Sequence, residues 1–284
     1  MPEPRSLARL MLVTDRRRSP LPLVDLALKA VAGGVDTVQI REKDLGAEEL
    51  IGLVRVIRHV VGRRARLSLN ADPALAAELG LDVHLPEAGP STAAVRQIVG
   101  PTSLIGRSIH SAEAAAANAD ADYLIAGHVF RSRSKPGLLP LGLDGLAAIV
   151  AAATVPVLAI GGISVSNVEG VLQTGAFGVA VIDAIASATD PRAAASTLRQ
   201  VIDQVDAKEQ TMSTAAEETI VTVNGKDVAV PSGASVADFL MSKGFREKLV
   251  VVELNGRILD RGRFASTPLA AGDKVEIVHF VGGG

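Results

Sequence analysis

The chain has 284 residues, of which 48% are hydrophobic and only 2% aromatic, and its formal net charge is −2 at pH 7. This length favours two domains, and the charge argues against electrostatic binding of nucleic acid. The absence of cysteine excludes disulfides and thiolate metal sites. Residues 1–5 do not resemble a signal peptide, and no apolar run reaches the length of about 18 residues needed to span a bilayer. We therefore expect a cytoplasmic protein that binds neither nucleic acid nor membranes.

Short apolar runs alternate with Ala/Leu-rich helical stretches from residue 7 to about residue 205. The predicted strands are 10–13, 37–40, 66–69, 82–85, 104–106, 123–126, 157–160 and 178–181. The predicted helices are 21–32, 47–61, 73–79, 91–99, 111–117, 142–152, 166–173 and 193–205. Alternating βα units of this number and length predict a parallel α/β architecture, a small (β/α)8 TIM barrel. An open, doubly wound sheet is the alternative, because periodicity alone does not distinguish the two.

Functional groups of such barrels lie at the carboxyl ends of the strands. Candidate residues are therefore the polar ones that follow each predicted strand: Thr14, Asp15, Arg41, Glu42, Lys43, Asn70, His84, Arg107, Ser108, His110, His128 and Asp183. Gly161 and Gly162 follow the seventh strand, and Asp183 and Ala184 follow the eighth. Glycines there would let backbone N–H groups approach an anion, which predicts a phosphate site, although a tight turn explains the pair equally well.

Residues 206–218 are polar and lack an apolar period, which predicts a flexible linker between a first domain, 1–205, and a second, 219–284. In the second domain, Asn224-Gly225 indicates a hairpin turn, and Ser235 with Asp238 indicates the start of a helix that Gly244 would end. A third strand, 249–254, and a final strand, 275–281, complete the pattern. This order of elements in about 65 residues predicts a small ubiquitin-like β-grasp fold.

Four segments of the second domain carry a family resemblance. They are Val-Asn-Gly-Lys at 223–226, Glu-Leu-Asn-Gly at 253–256, Ala-Gly-Asp at 271–273 and Val-His-Phe-Val-Gly-Gly-Gly at 278–284. The domain resembles ThiS, the sulfur carrier of thiamine biosynthesis. This resemblance implies that a partner enzyme uses ATP to adenylate the carboxylate of Gly284, next to Gly283, and that a sulfur donor converts it to a thiocarboxylate. The thiocarboxylate would deliver sulfur to the thiazole ring that a second partner, thiazole synthase, assembles.

The first domain resembles the family that contains thiamine phosphate synthase and the thiazole tautomerase TenI. The matching segments are Val-Gln-Ile-Arg-Glu-Lys at 38–43, Ile-Gly-Arg-Ser-Ile-His-Ser at 105–111, Ala-Gly-His-Val-Phe at 126–130 and Ala-Ile-Gly-Gly-Ile at 159–163. In the synthase branch, Asp residues after the third and fourth strands hold Mg²⁺. Ala71 and Ala88 stand at those positions here, and alanine offers no oxygen ligand.

The tautomerase branch matches better, because it shares Leu85-Pro86 and the Gly-His-Val-Phe motif that contains His128. The resemblance implies that His128 acts as acid and base when a non-aromatic thiazole phosphate carboxylate is isomerised to its aromatic tautomer. Imidazole can perform both proton transfers because its ordinary pKa is about 6.5. The tautomerase would need no metal or organic cofactor.

Further residues are predicted to support this reaction. The cations Arg41, Lys43, Arg107 and Lys135 would bind the carboxylate or phosphate of the substrate, and Asn70 and Ser108 would donate or accept hydrogen bonds. Two other histidines near the predicted strand ends, His84 and His110, are predicted to be structural.

The sequence thus predicts a bifunctional thiamine-pathway protein, a thiazole tautomerase fused to a sulfur carrier. A thiamine phosphate synthase fused to the same carrier is one alternative. A non-catalytic barrel that serves as a docking platform for thiazole synthase is another. Association into a homo-oligomer stays open, since barrels of this size often associate.

Overall fold

A computed structural model describes residues 7–133, 135, 137–215, 218–243 and 250–279, and the chain divides into two compact units, 1–205 and 206–284. No helix among these described residues is both long and apolar enough to cross a membrane.

The first unit is a closed barrel of eight parallel strands in sequence order. Its strands are β1 Leu10–Val13, β2 Thr37–Ile40, β3 Arg66–Asn70, β4 Asp82–Leu85, β5 Ile105–Ile109, β6 Tyr123–Gly127, β7 Val157–Ile160 and β8 Gly178–Val181. Its helices are α1 Leu23–Ala32, α2 Ala47–Val61, α3 Pro73–Leu79, α4 Thr92–Val99, α5 Ala112–Ala117, α6 Gly142–Ala152, α7 Val168–Leu172, α8 Asp183–Ala186 and α9 Pro191–Ala215. Pairing of Leu12 with Val181 closes the barrel between β1 and β8, which confirms the predicted TIM barrel.

Successive side chains along each strand point alternately into the barrel interior and toward the surrounding helices. In β1, Leu10 and Leu12 belong to the large core between strands and helices, whereas Met11 and Val13 belong to a small core inside the barrel. The same alternation turns Gln39 of β2, Asn70 of β3, His84 of β4 and Ser108 of β5 inward. Tyr123, 1% exposed, crosses the interior beneath Gly106, where any side chain would collide with its ring.

The second unit is a five-stranded sheet with one packed helix. Its elements are β9 Glu218–Val223, β10 Lys226–Pro231, α10 Val236–Ser242, β11 Val250–Leu254, β12 Arg257–Leu259 and β13 Lys274–His279, in the spatial order β10-β9-β13-β11-β12. The predicted capping box is present, with the hydroxyl of Ser235 accepting from the N–H of Asp238. Val221, Leu240 and Phe264 lie in its core, which confirms the predicted β-grasp fold.

Two expectations change or stay untested. Residues 206–215 are helical rather than irregular, because α9 continues through them to Ala215. Their sequence contains good helix formers such as Ala207 and Lys208, and a helix can form without an apolar period. The predicted helix end at Gly244 and the glycine tail, with Gly283 and Gly284, lie outside the described residues.

The junction between β1 and β8 yields a prediction about stability. A Cβ at Gly178 would lie 2.5 Å from the carbonyl oxygen of Arg9 and 2.9 Å from its Cα, and backbone atoms cannot yield as side chains do. We expect Gly178→Ala to lower the free energy of unfolding of the barrel by about 1–3 kcal/mol, measured by urea denaturation of the full chain.

Gly52 provides the matched control, because it lies in α2 and a Cβ added there would meet no described residue within 4 Å outside its own helix backbone. Gly52→Ala should stabilise the protein by up to about 1 kcal/mol through helix propensity. Equal urea midpoints for the parent and Gly178→Ala would contradict close packing of Gly178 against the backbone of Arg9, where β1 and β8 close the barrel.

Candidate active site

A cavity of about 340 Å³ opens at the carboxyl ends of the barrel strands. The predicted site residues that line it are Arg41, Asn70, Ser108, His128, Lys135, Gly161, Gly162, Asp183 and Ala184. Val13, Ile125 and Ile160 form part of an apolar floor. The size suits a small molecule rather than a polymer.

His128 follows β6 and is buried, with 7% of its surface exposed. Its Nε2 lies 3.3 Å from the carbonyl oxygen of Leu138, which can only accept a hydrogen bond. In the neutral ring, Nε2 therefore carries the proton and Nδ1 keeps the basic lone pair. The side chain thus offers the cavity a base whose tautomer is set by the protein backbone.

The glycine pair holds His128 in place. The segment after β6 runs beside the end of β7, where Val129 and Phe130 donate backbone hydrogen bonds of 2.9 Å to the carbonyls of Ile160 and Gly161. A Cβ at Gly161 would lie 2.7 Å from the Cα of His128, and one at Gly162 would lie 2.5 Å from the carbonyl oxygen of Arg131. Only glycine fits at both positions.

The same turn presents backbone donors to the cavity. Gly162 and Ala184 line the cavity, and their backbone N–H groups donate none of the hydrogen bonds found in the turns, loops and caps of the described residues. The carboxylate of Asp183 lies 3.9 Å from Nη1 of Arg18 and accepts a hydrogen bond of 3.4 Å from the hydroxyl of Ser187. Backbone N–H groups of this kind, on residues that line the cavity, suit the predicted phosphate position.

Positive charge surrounds the cavity mouth. Among the described residues that line it, Arg41, Arg131, Arg133 and Lys135 are cationic, and Asp183 is the one acidic residue. The backbone N–H of Arg41 donates to the hydroxyl of Thr14 at 3.0 Å, which fixes the base of this side chain. Such an excess of cations favours a dianionic substrate.

A neutral polar wall faces these cations. Gln39 Nε2 donates to Asn70 Oδ1 at 3.3 Å, and His84 Nε2 lies 2.8 Å from the Ser108 hydroxyl. Burial lowers the pKa of His84 to about 3, with further lowering by Arg107 and Arg41, so this imidazole is neutral near pH 7. The wall can therefore orient a substrate ring by hydrogen bonds but cannot take up a proton.

Two predicted binding residues do not reach the cavity. Arg107 is 3% exposed, and its guanidinium donates to the carbonyls of Pro86 at 3.2 Å and Pro90 at 2.5 Å. Arg107 alternates in step with Ile105 and Ile109 in β5, whose side chains point away from the barrel interior. It therefore binds the loop after β4 and does not reach the cavity. Lys43 is exposed and is not among the cavity-lining residues.

Sequence reasoning also missed several lining residues. Gln39 points inward because it alternates with the outward-facing Val38 and Ile40 in β2, a parity that was readable from the sequence. His84 and His110, which were predicted to be structural, both line the cavity. Arg131 and Arg133 lie in the loop after β6, where no sequence periodicity predicts which way a side chain points.

Comparison with known proteins places the chain in a family. The thiamine monophosphate synthase family (TMP-TENI) matches residues 10–185, and the ThiS family matches residues 221–284. The chain therefore belongs to the thiamine monophosphate synthase family and carries a ThiS domain after its barrel. Both assignments place it in thiamine biosynthesis.

Individual relatives agree with this assignment. The thiamine-phosphate synthase of Moorella thermoacetica is 37% identical over 204 residues, covering 70% of this chain and 97% of that protein. The thiamine-phosphate synthase of Mycobacterium bovis is 38% identical over 210 residues, covering 69% and 95%. The solved thiamine phosphate pyrophosphorylase from Pyrococcus furiosus superposes with a TM-score of 0.63 at 32% identity, covering 69% of this chain and 96% of that chain.

The residues present do not fit the Mg²⁺ that the synthase branch is expected to bind. Ala71 and Ala88 supply no oxygen ligand, and Asp72 caps α3 by accepting from the N–H of Leu75 at 3.0 Å. Glu87 is engaged by His110 at 2.7 Å. Within the described ranges, no cluster of three or more His, Asp or Glu side chains is arranged to hold a metal ion.

The buried histidine of the neutral wall yields a prediction about pH. Folded His84 has a pKa of about 3, whereas the unfolded chain takes up a proton near pH 6.5. Stability from this group is therefore complete above pH 6.5 and falls by about 1.4 kcal/mol for each pH unit below it. We expect His84→Gln to reduce the slope of unfolding free energy against pH between about pH 6 and 4.

His59→Gln, on the exposed face of α2, controls for removal of a surface histidine. Urea unfolding of the three proteins at a series of pH values measures the slopes. An identical slope for the parent and His84→Gln would show that burial of this imidazole does not contribute to acid sensitivity.

Proposed function

We propose that the barrel is a metal-independent thiazole tautomerase and that the second domain is a sulfur carrier of the same pathway. The observation that carries the first part is the position of His128, buried in a cationic cavity with a tautomer fixed by the carbonyl of Leu138. The substrate would be the non-aromatic tautomer of a thiazole phosphate carboxylate.

The reaction needs one proton removed from the ring and another added elsewhere. The phosphate would bind at the N–H groups near Gly162 and Ala184, and the carboxylate would pair with Arg41 or its neighbouring cations. Anchoring both ends would place the ring against His128 and the neutral wall formed with Ser108. Nδ1 of His128 would then remove the ring proton.

A thiamine phosphate synthase is the second candidate, and the names of the relatives favour it. That reaction expels pyrophosphate, and the family's synthase branch uses Mg²⁺ for this step. Ala71 and Ala88 stand where that branch has its carboxylates, which favours the tautomerase for this chain. A non-catalytic platform for thiazole synthase is the third candidate.

The carrier role rests on the ThiS family match over residues 221–284 and on the β-grasp fold. An adenylating enzyme would use ATP to activate the carboxylate of Gly284, and a sulfur donor would convert it to the thiocarboxylate. Thiazole synthase would consume this sulfur. The barrel would act afterwards, on the product of that assembly.

The tautomerase proposal predicts a metal-independent rate that depends on His128. With EDTA present, the full chain should convert the thiazole carboxylate tautomer to its aromatic form at a rate well above the uncatalysed background. The change in absorbance measures this rate. His128→Ala should lose about 10²- to 10⁴-fold in rate, the usual contribution of a general acid–base group.

His59→Ala is the matched control, because His59 is exposed on α2 and does not line the cavity. Circular dichroism would establish that both variants are folded. Equal rates for His128→Ala and the parent would eliminate His128 as the base, and a parent rate no faster than background would eliminate the tautomerase itself.

The carrier proposal predicts a unique reactive sulfur, because the chain contains no cysteine. After incubation with ATP, an adenylating enzyme and a sulfur donor, N-ethylmaleimide should label the full chain once, at its tail, as detected by mass spectrometry. Deletion of Gly283 and Gly284 should abolish the label. A label that survives this deletion, or that forms without ATP, would contradict sulfur transfer to Gly284.

A further inference from the structure

Three side chains from three neighbouring loops meet at the cavity mouth. Nδ1 of His110 lies 2.7 Å from Oε2 of Glu87, and Nζ of Lys135 lies 2.8 Å from Nε2 of His110. The backbone N–H of His110 also donates to Glu87 at 3.3 Å. His110 and Lys135 line the same cavity as His128.

The direction of these hydrogen bonds follows from the groups. A lysine ammonium can only donate, so Nε2 of His110 accepts and Nδ1 carries the proton that it donates to Glu87. Transfer of one proton along the contact converts ammonium and neutral imidazole into neutral amine and imidazolium, and the imidazolium then faces the Glu87 carboxylate. Glu87, His110 and Lys135 therefore form a proton relay that ends in the cavity.

We propose that Lys135 is the acid that adds the second proton in the tautomerisation, and that His110 and Glu87 are positioning residues for it. This inference rests on the proposed tautomerase function. It assigns the two proton transfers to two groups, instead of asking His128 to perform both.

The proton balance is complete without another reactant. Nδ1 of His128 takes the proton as the ring C–H bond breaks, and the electron pair enters the conjugated system. A new C–H bond forms at the second carbon with a proton from Nζ of Lys135. This leaves imidazolium at His128 and a neutral amine at Lys135. After product release, His128 gives its proton to solvent that enters the cavity, and solvent returns a proton to Lys135 through His110, whose side chain is partly exposed.

The surroundings of Lys135 support this role. Burial lowers its pKa, and the charge of Arg41 lowers it further, against an opposing contribution from Glu87. A lower pKa makes an ammonium group a stronger acid. Arg133 lines the same cavity, but its guanidinium does not lose a proton in the physiological pH range, so it can bind an anion without acting as an acid.

The alternative for Lys135 is a purely electrostatic role in substrate binding. Lys135→Arg separates the two, because it keeps a positive charge and removes the titratable proton. The reaction is divided into two measurable parts in D₂O: aromatic product formation, and deuterium incorporation at the ring carbon of recovered substrate. Arg133→Met is the matched control for loss of a cation that cannot act as an acid.

We expect Lys135→Arg to form product about 10²- to 10⁴-fold more slowly while its recovered substrate still gains ring deuterium through His128. His110→Ala should show the same split with a smaller loss. Arg133→Met should raise KM and lower exchange and product formation together, as expected for a binding group. His128→Ala should lose both activities.

Product formation by Lys135→Arg at the parent rate would overturn the proposal, as would parallel loss of exchange and product formation. In either case a parent chain that still isomerises the tautomer would leave the tautomerase standing. A parent chain without tautomerase activity would instead refute the proposed function itself.

Discussion

The close approach of two backbone segments at the top of β6 and β7 is the constraint on which the site depends. Gly161 and Gly162 leave room for residues 128–131, and hydrogen bonds from Val129 and Phe130 join the two segments. This packing buries His128, and both His128 and Gly162 line the cavity. The group proposed as acid and base and the residue proposed to bind phosphate therefore depend on one turn.

Charge is distributed unevenly around the substrate space. Cations such as Arg41 and Lys135 surround the mouth, whereas Gln39, Asn70 and the His84–Ser108 pair form a neutral wall. Because burial lowers the pKa of His84 to about 3, the wall is suited to orienting a ligand, and the proposed proton transfers are left to His128 and Lys135. The Arg107 guanidinium, which is buried beneath the loop after β4, supports this arrangement by binding loop carbonyls.

Much of this architecture could be predicted from the sequence, because apolar runs and helical stretches alternate clearly. The alternation of side chains along the strands also predicts that Gln39 points into the barrel and that Arg107 points away from it. The sequence did not predict the helix over residues 206–215, because these residues show no apolar period. The contact between Lys135 and His110 was beyond sequence reasoning, because it joins two loops whose directions depend on tertiary packing.

The central claim is that this barrel moves protons and does not expel pyrophosphate. The most direct measurement compares, on one preparation, kcat/KM for the thiazole tautomer in EDTA with kcat/KM for thiamine phosphate formation from both synthase substrates in Mg²⁺. We predict rapid, metal-independent tautomerisation and little or no thiamine phosphate. Efficient Mg²⁺-dependent formation of thiamine phosphate, with background tautomerisation, would contradict it.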